Sequence, residues 1–423
     1  MVGIPPRRAK IRLGFIMKRG NFRVHEKIDV VVIGAGVVGL SIAKSILSAS
    51  AGISVTILEK EGGLGFHASG RNSGVVHAGF YYSPDSLKAR FCLEGNRAIR
   101  EMCKKYDIPL KEVGKVVVTT SLEDELRLEK LFERGLENGV PLELLESKDL
   151  ANFEPLARTR DRFIWSPTTA VSDPMHLINC LANEVVRLGG RLKFHQKIEI
   201  DPNNQLIKST NGSFAAKHIV NAAGSQADRI AKIFDFGLGL TMVPFMGVYR
   251  STNKTALPLQ RLVYPVPNPL NPFLGVHLTI SVHDQVKIGP TAIPMLNREQ
   301  YSLLEKWSTQ DIRESLLGAY SMFKGNAHDF PEIVRSEFPK LFESRLVSGA
   351  SKLVPEVKGV TEWKKMKPGI RSQLVELKTG KLVNDFVVEG DERATHVLNV
   401  VSPGWTAAIP FGRYVSDRVL TYF

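Results

Sequence analysis

The feature that most constrains the fold is a strand, a glycine turn and a helix near the start of the chain. Apolar residues from Asp29 lead into a G-x-G-x-x-G turn formed by Gly34, Gly36 and Gly39. An apolar helix is predicted to follow, ending near Ala49. Gly34 allows the tight turn, Gly36 leaves room for a pyrophosphate at the helix N-terminus, and Gly39 permits close helix–strand packing. The pattern is typical of a dinucleotide-binding α/β domain.

A second predicted strand supports this interpretation. It runs from Ile53 to Glu59 and places a carboxylate twenty residues after Gly39, where an acidic group accepts hydrogen bonds from ribose hydroxyls. A glycine motif alone is compatible with any glycine turn. The flanking strand and helix, together with the spacing of Glu59, favour a bound dinucleotide.

The segment from His67 to Tyr82, HASGRNSGVVHAGFYY, follows this unit directly. Its three glycines let the backbone approach a flat ligand closely, and its histidine, arginine, asparagine and tyrosine side chains supply polar contacts. We therefore expect this segment to contact the reactive ring of the cofactor. A plain core strand has a different composition.

Composition limits the class of protein. The chain has 423 residues and is 43% hydrophobic, enough for a large core and two or three domains. Its net charge of +13 is unevenly spread, because residues 1–27 contain eight Lys/Arg and only Glu26. The remainder has 48 basic and 42 acidic residues, a charge of +6. This balance suits an anionic cofactor and an anionic substrate, and nucleic-acid binding is not expected.

The basic tail, residues 1–27, is predicted to be disordered. Its arginine-rich, acid-poor composition resembles a transit peptide, but it lacks serine and contains Pro5 and Pro6. A peripheral membrane contact, or an extension upstream of a true start at Met17, are the alternatives. The three cysteines contain no CxxC pair, so neither disulfides nor a metal site is expected, and a reducing compartment fits. No apolar run has the length of a membrane span.

The predicted architecture is α/β, with a Rossmann-like domain and an interleaved α+β substrate domain built on a mostly antiparallel sheet. The first domain is assigned residues 28–110, 165–238 and 365–423, and the second 111–164 and 239–364. The assignment rests on a change in the sequence pattern near residue 240, where short runs of β-branched and aromatic residues broken by proline begin.

Several segments resemble a known family. The turns Asn221-Ala-Ala-Gly224 and Val400-Val-Ser-Pro-Gly404 resemble the nucleotide-end turn and the C-terminal flavin turn of two-domain FAD enzymes. The stretch HASGRNSGVVHAGFYYSPDSLKARFCLEGNR resembles the flavin-contact segment of the L-2-hydroxyglutarate dehydrogenases, within the D-amino-acid oxidase/glycerol-3-phosphate dehydrogenase-like superfamily. The similarity covers roughly 28–423 in the same order, through the segments 264–267, 272–279, 288–290, 368–373 and 383–386.

The resemblance implies a reaction and its partners. It implies an FAD-dependent oxidation of a 2-hydroxyacid, L-2-hydroxyglutarate to 2-oxoglutarate, by hydride transfer to flavin N5 with a histidine as base. The electrons would pass to a quinone or an electron-transfer protein. The expected location is the cytoplasm or the inner face of the membrane as a peripheral protein, and the mitochondrion if the source is a eukaryote.

The resemblance also assigns residues. His277 is the first choice for the base and His77 the second, while Arg371 holds a substrate carboxylate and Tyr81, Tyr82 and Tyr264 face the substrate. The plain alternatives are a core histidine, a surface arginine and packed aromatic rings. The cofactor contacts are assigned to Gly34, Gly36, Gly39, Glu59, Lys60, Ser69, Asn72, Ser73, Gly74, Val75, Ile198, Ala223, Gly224, Gly404, Trp405 and Thr406, with Ser73 to Val75 at the isoalloxazine.

The chain also departs from the family pattern. Met246 stands where the family usually has arginine, and Arg71 where it typically has histidine. These departures leave open the oxidation of another small anionic alcohol or secondary amine, such as glycerol 3-phosphate. A flavin-binding or nucleic-acid-binding protein without catalysis is the alternative of a different class.

Overall fold

The computed structural model describes residues 26–268, 273–302, 307–325 and 330–423. Most of the predicted tail, residues 1–25, and Pro272 of the family-like segment lie outside this part of the chain. Within it the helices are Val37–Ala49, Leu87–Tyr106, Leu122–Glu137, Leu150–Phe153, Pro174–Arg187, Ala227–Ile233, Thr309–Gly325, Phe330–Glu337, Glu343–Ala350 and Gly404–Leu420. Among these described helices, none combines the length and apolar character needed to cross a membrane.

An eight-stranded sheet carries the glycine turn. Its central strand, Glu26–Ile33, pairs in parallel with Val55–Leu58 on one side and Gly212–Asn221 on the other. Val32 on one face and Val31 on the other have no exposed surface, as expected for a parallel strand covered on both faces. The remaining strands of this sheet are Arg191–Lys193, Ile198–Asp201, Leu206–Ser209, Val388–Gly390 and Ala394–Val397.

A second eight-stranded sheet is mostly antiparallel. Its one parallel pair joins Lys115–Val118 to Leu262–Pro265, near the middle of the sheet. The other strands are Glu143–Glu146, Arg162–Ser166, Arg250–Asn253, His277–Ile280, Gln285–Gly289 and Lys364–Lys365. The predicted fold class, α/β with a mostly antiparallel second sheet, is confirmed.

Two small sheets of three strands complete the fold. Leu240–Gly247 pairs with Gly369–Glu376 on one side and Ile293–Pro294 on the other. The second small sheet consists of Val75–Val76, Ala170–Ser172 and Leu110–Lys111.

Two strands can be compared with the predicted domain boundaries. Arg162–Ser166 crosses the boundary placed at 164/165 and pairs wholly within the second large sheet. Gly369–Glu376, assigned to the first domain, pairs along its full length with Leu240–Gly247, assigned to the second. The small sheet therefore joins segments from both assigned domains, and the division itself stays a prediction.

Candidate active site

One cavity of about 1820 Å³ is lined by residues of both large sheets and of the small sheet that joins them. A pocket for a drug-sized ligand has a volume of roughly 300–1,000 Å³. The cavity is therefore large enough for a dinucleotide and a small substrate together. Every predicted site residue lines it except Gly39 and Gly74.

The glycine turn forms one end of the cavity. Gly34 has φ +104°, and a Cβ atom there would lie 2.6 Å from the carbonyl oxygen of Ala222. The helix Val37–Ala49 begins after Gly36 without a side-chain cap, while the amide of Val37 donates to Ser69 Oγ at 3.0 Å. The positive end of this helix therefore faces the cavity, as pyrophosphate binding requires.

Gly39 acts away from the cavity. A Cβ atom at this position would overlap the carbonyl oxygen of Gly34, so the glycine permits close helix–strand packing, as the motif predicts. Gly74 has φ +77°, and a Cβ atom there would lie 2.5 Å from the carbonyl oxygen of Ser172. Both glycines shape the backbone that other residues present to the cavity.

Glu59 and Lys60 lie next to the turn. Glu59 accepts hydrogen bonds from the amides of Ala35 and Glu61, each at 2.9 Å, and its side chain still borders the cavity. The Lys60 ammonium forms ion pairs with Glu61 at 2.9 Å and with Glu299 at 2.6 Å. Both residues thus have protein partners at the place where the sequence predicts ribose contacts.

Glu61 and Glu299 also form a cluster with His67. The possible ligand atoms of these three side chains lie within 4.8 Å of one another. The Lys60 ammonium bridges the two carboxylates, and His67 Nε2 bonds Glu61 at 2.9 Å. Because protein groups already satisfy this cluster, we assign it no metal.

The opposite end of the cavity is built by the predicted isoalloxazine segment and the C-terminal helix. Thr406 Oγ1 accepts from the amide of His77 and donates to the carbonyl of Val75, both at 3.2 Å. Asn72 Oδ1 accepts from the amide of Gly74 at 2.9 Å. Trp405 Nε1 is buried and has no hydrogen-bond partner in the described ranges. The two Thr406 bonds tie the segment to the start of the helix Gly404–Leu420.

The remaining predicted cofactor residues lie along the same cavity. Ser73 Oγ accepts a weak bond from the amide of Val75 at 3.4 Å. Ile198 begins an edge strand of the first sheet, and Ala223 and Gly224 follow the strand Gly212–Asn221. The fold thus brings residues from six separate stretches of sequence to one elongated site.

His277 is held in one orientation. Its Nδ1 lies 2.8 Å from the carbonyl oxygen of Gly275, and its ring stacks on Tyr264 with 3.9 Å between centroids. Because a carbonyl oxygen only accepts, Nδ1 carries the proton and Nε2 keeps its lone pair. Burial lowers the pKa of His277 to about 3, so the imidazole is neutral at pH 7. It is a weaker base than an unperturbed pKa near 6.5 implies.

His77 and Tyr81 contribute buried polar atoms without partners. Neither His77 Nδ1 nor the Tyr81 hydroxyl has a hydrogen-bond partner among the residues that the structure describes. Burial lowers the pKa of His77 well below its ordinary value and raises that of Tyr81. Orphaned polar atoms at a cavity wall are the positions where a ligand supplies the missing partners.

Arg371 presents a partly unpaired guanidinium to the cavity. Its Nη2 donates to Gln373 Oε1 at 2.9 Å, whereas its Nε is buried without a hydrogen-bond partner in the described chain. Burial lowers the pKa of Arg371 to about 10, so it remains a cation at pH 7. The simple alternative, a solvated surface arginine, does not match this environment.

Lys88 is a site residue that the sequence reasoning missed. It is 6% exposed, lines the cavity and lies over the ring of Tyr82 at 6.0 Å. Burial lowers its pKa to about 7, and the charge of Arg371 acts in the same direction. Its amide and that of Leu87 donate to the two carboxylate oxygens of Asp385. The only sequence signal for Lys88 was indirect, because its partner Asp385 lies in the family-like segment 383–386.

The two departures from the family pattern have different surroundings. Met246 is 4% exposed and packs with Ile293 and Met295, and it does not line the cavity. Arg71 does line the cavity, where its Cζ lies 4.0 Å over the ring of Tyr301. Its Nε donates to the carbonyl of Phe66 at 2.6 Å. Met246 thus belongs to an apolar cluster, and Arg71 is tied to its neighbours.

Comparison with known proteins decides the family. The family model described as FAD dependent oxidoreductase matches residues 29–418. The chain belongs to this family of FAD-dependent oxidoreductases. It is therefore an enzyme whose cofactor is FAD, rather than the non-catalytic protein considered above. The uncapped helix start at Gly36 and the orphaned Nε1 of Trp405 fit a bound dinucleotide on independent physical grounds.

Curated relatives of the family resemble the chain over nearly its full length. It is 32% identical over 401 residues to the L-2-hydroxyglutarate dehydrogenase of Escherichia coli UMN026, covering 93% of each chain. It is 31% identical over 417 residues to the mitochondrial L-2-hydroxyglutarate dehydrogenase of Homo sapiens, covering 93% of this chain and 89% of the relative. These relatives confirm the resemblance that the sequence motifs suggested.

Solved structures share the fold at lower identity. An L-alpha-glycerophosphate oxidase from Mycoplasma pneumoniae with FAD bound gives a TM-score of 0.72 at 21% identity, covering 93% of this chain and 95% of that one. A glycine oxidase from Geobacillus kaustophilus gives 0.70 at 20% identity, with the same coverage. The family therefore has this layered arrangement, while the roles of individual residues in this chain stay predictions.

Proposed function

We propose that the enzyme oxidises a small 2-hydroxyacid, specifically L-2-hydroxyglutarate to 2-oxoglutarate. The observation that carries the proposal is the pairing of cations with a neutral histidine in one cavity. Arg371 is a half-buried cation and Lys88 a buried amine with a pKa of about 7; both line the cavity, where His277 Nε2 keeps its lone pair. A substrate with two carboxylates and one hydroxyl matches these groups. The names of the relatives support the same substrate.

The chemistry divides between the cofactor and the protein. Bound FAD supplies the acceptor for the hydrogen and two electrons that leave the carbinol carbon. Arg371 binds a carboxylate through its planar donors and so fixes the orientation of that carbon. His277 Nε2 accepts the hydroxyl proton. With a pKa of about 3, His277 becomes an effective acceptor only as the hydroxyl gains acidity during oxidation, so the two bond cleavages are coupled.

The test is anaerobic reduction of the purified, FAD-loaded enzyme. We expect L-2-hydroxyglutarate to bleach the flavin absorbance stoichiometrically, with release of one 2-oxoglutarate per flavin. D-2-hydroxyglutarate, L-lactate, glycerol 3-phosphate and sarcosine form the comparison panel. If glycerol 3-phosphate or sarcosine bleached the flavin and L-2-hydroxyglutarate did not, the substrate would instead be another anionic alcohol or a secondary amine.

We further propose that the enzyme binds peripherally to an anionic membrane surface, which holds the quinone expected as its electron acceptor. The support is the outward face of the helix Thr309–Gly325, where Tyr320 and Phe323 are each 62% exposed. Leu316 and Leu317 are about half exposed beside them, and Trp307 is exposed just before the helix. Large exposed apolar side chains on one helix are typical of interfacial contact.

The charges of this helix favour a lipid surface. Its acidic residues, Asp311 and Glu314, form ion pairs with Arg229 at 2.6 and 2.7 Å. The charged residues on the exposed side are Arg313 and Lys324. Two copies joined through this face would bring like charges together, whereas anionic headgroups would neutralise them.

Vesicle binding of the full chain tests this proposal. We expect sedimentation with phosphatidylglycerol vesicles, and about 10–100-fold weaker partitioning after the double change Leu316→Ser and Phe323→Ser. Leu126, 68% exposed on the helix Leu122–Glu137, provides the control change Leu126→Ser. Equal partitioning of both variants, or an altered oligomeric state of the double variant without vesicles, would contradict the proposal.

A further inference from the structure

Lys115 is a buried lysine with no counter-ion in the described chain. It begins the strand Lys115–Val118 in the middle of the second large sheet, and its side chain has no exposed surface. Its Nζ has no hydrogen-bond partner within residues 26–268 or the other described ranges. An unpaired ammonium in a sheet interior is costly for the folded protein, so its presence calls for a compensating interaction.

Aromatic rings surround this ammonium. Nζ lies 4.3 Å from the ring centroid of Tyr264, 4.9 Å from that of Tyr81 and 5.1 Å from that of Phe80. Ring faces attract a desolvated cation and offset part of its burial cost. Tyr264 and Tyr81 also line the cavity, whereas Lys115 itself does not. The lysine therefore lies behind the wall that these two tyrosines form.

We propose that Lys115 is a positioning residue whose ammonium, acting through the Tyr81–Tyr264 wall, attracts a dicarboxylate ligand and takes up a proton when that ligand binds. The inference rests on the proposed function for the choice of ligand. Lys115 has no anionic partner among the residues that the structure describes, and a carboxylate in the cavity supplies the missing negative charge. The tyrosine rings keep lysine and ligand apart, so the interaction is electrostatic.

The ionisable groups around the cavity determine how binding depends on pH. Burial lowers the pKa of Lys115 to about 7, and the pKa of Lys88 is also about 7. Of the other groups that face Lys115, His277 has its pKa lowered to about 3 and Cys92 has its pKa raised to about 12. Burial also lowers the pKa of His77 and raises those of Tyr81 and Tyr264. Arg371, with its pKa at about 10, stays charged.

The pKa values of Lys115 and Lys88 determine how dicarboxylate binding changes with pH. Above pH 7 the free enzyme loses a proton from Lys115 and another from Lys88. A bound dicarboxylate favours both charged forms, so binding must restore both protons. The logarithm of the dissociation constant should therefore rise by about two for each pH unit between pH 7 and 9 in the wild type, and by about one when only one lysine remains.

The experiment measures the binding of glutarate, which has no hydroxyl to oxidise, by the change in flavin absorbance of the FAD-loaded enzyme. Lys115→Met should lower the slope to about one and weaken binding at pH 6 by about 10–30-fold. Lys115→Arg, which keeps a permanent charge, should restore tight binding at pH 6 but also give a slope of about one. Lys287→Met is the matched control, because Lys287 is a half-buried lysine of the same sheet outside the cavity.

The role of Lys115 and the oxidation of L-2-hydroxyglutarate fail in different ways. The role of Lys115 would be overturned if Lys115→Met and Lys115→Arg left the pH slope of the dissociation constant unchanged. It would also be overturned if Lys287→Met lowered that slope as well, or if the wild-type enzyme bound no glutarate. Failure of the proposed function has a different signature. In that case glutarate still binds with its lysine-dependent slope, but L-2-hydroxyglutarate fails to reduce the flavin.

Discussion

Arg371→Met should weaken the capture of substrate without changing the amount of bound FAD. The Arg371 guanidinium lines the cavity and uses Nη2 on Gln373 at 2.9 Å, which leaves the buried Nε without a hydrogen-bond partner in the described chain. A carboxylate about 4 Å from this cation gains about 4 kcal/mol at an effective dielectric constant near 20. Removing one partner of such a desolvated pair costs about 2–5 kcal/mol. This range corresponds to a fall of about 30- to 4,000-fold in kcat/KM.

The assay is anaerobic stopped-flow reduction of the flavin over a range of L-2-hydroxyglutarate concentrations. The flavin-to-protein absorbance ratio of Arg371→Met should equal that of the wild type. The control is Arg90→Met, because Arg90 is an exposed arginine that pairs with Glu94 at 3.1 Å on a helix surface. A change of less than about threefold in Arg371→Met, or an equal loss in Arg90→Met, would refute the assignment of Arg371 to the substrate carboxylate.

Two further substitutions test the base and the cofactor turn. His277→Ala should slow flavin reduction by about 10²–10⁴-fold while FAD stays bound, and slowing by His77→Ala alone would move the base to His77. Gly34→Ala should yield protein that has lost most of its FAD, because its Cβ would meet the carbonyl of Ala222 at 2.6 Å. Gly52→Ala is the control, since Gly52 has φ +101° and open space, and equal FAD content in both variants would contradict the argument.

The strand, turn and helix at the cofactor end of the site are the elements that the sequence predicts best. Its signals are local, since the apolar strand from Asp29, the spaced glycines and the carboxylate of Glu59 all lie within one short stretch. The helix predicted to end near Ala49 ends there in the structure. The helix start that faces the cavity follows from the same motif, because a βαβ unit leaves little choice of geometry.

The substrate end depends on contacts between distant segments. The sequence led us to propose His277 and Arg371 as site residues, but it did not predict the environment that lowers the pKa of His277 to about 3. Lys88 and Lys115 were missed because a lysine in a helix or strand usually reaches solvent. Lys115 did precede three valines, Val116 to Val118, in a strand that is wholly buried, which was a usable signal. The predicted domain boundary between residues 164 and 165 falls within the strand Arg162–Ser166, and the division itself stays a prediction.

Anaerobic mixing of the FAD-loaded enzyme with L-2-hydroxyglutarate is the decisive measurement. The proposed chemistry predicts complete bleaching of the flavin and one 2-oxoglutarate formed per flavin, with no bleaching by D-2-hydroxyglutarate. An oxidised flavin spectrum that persists with saturating L-2-hydroxyglutarate, in enzyme that dithionite still reduces, would contradict it.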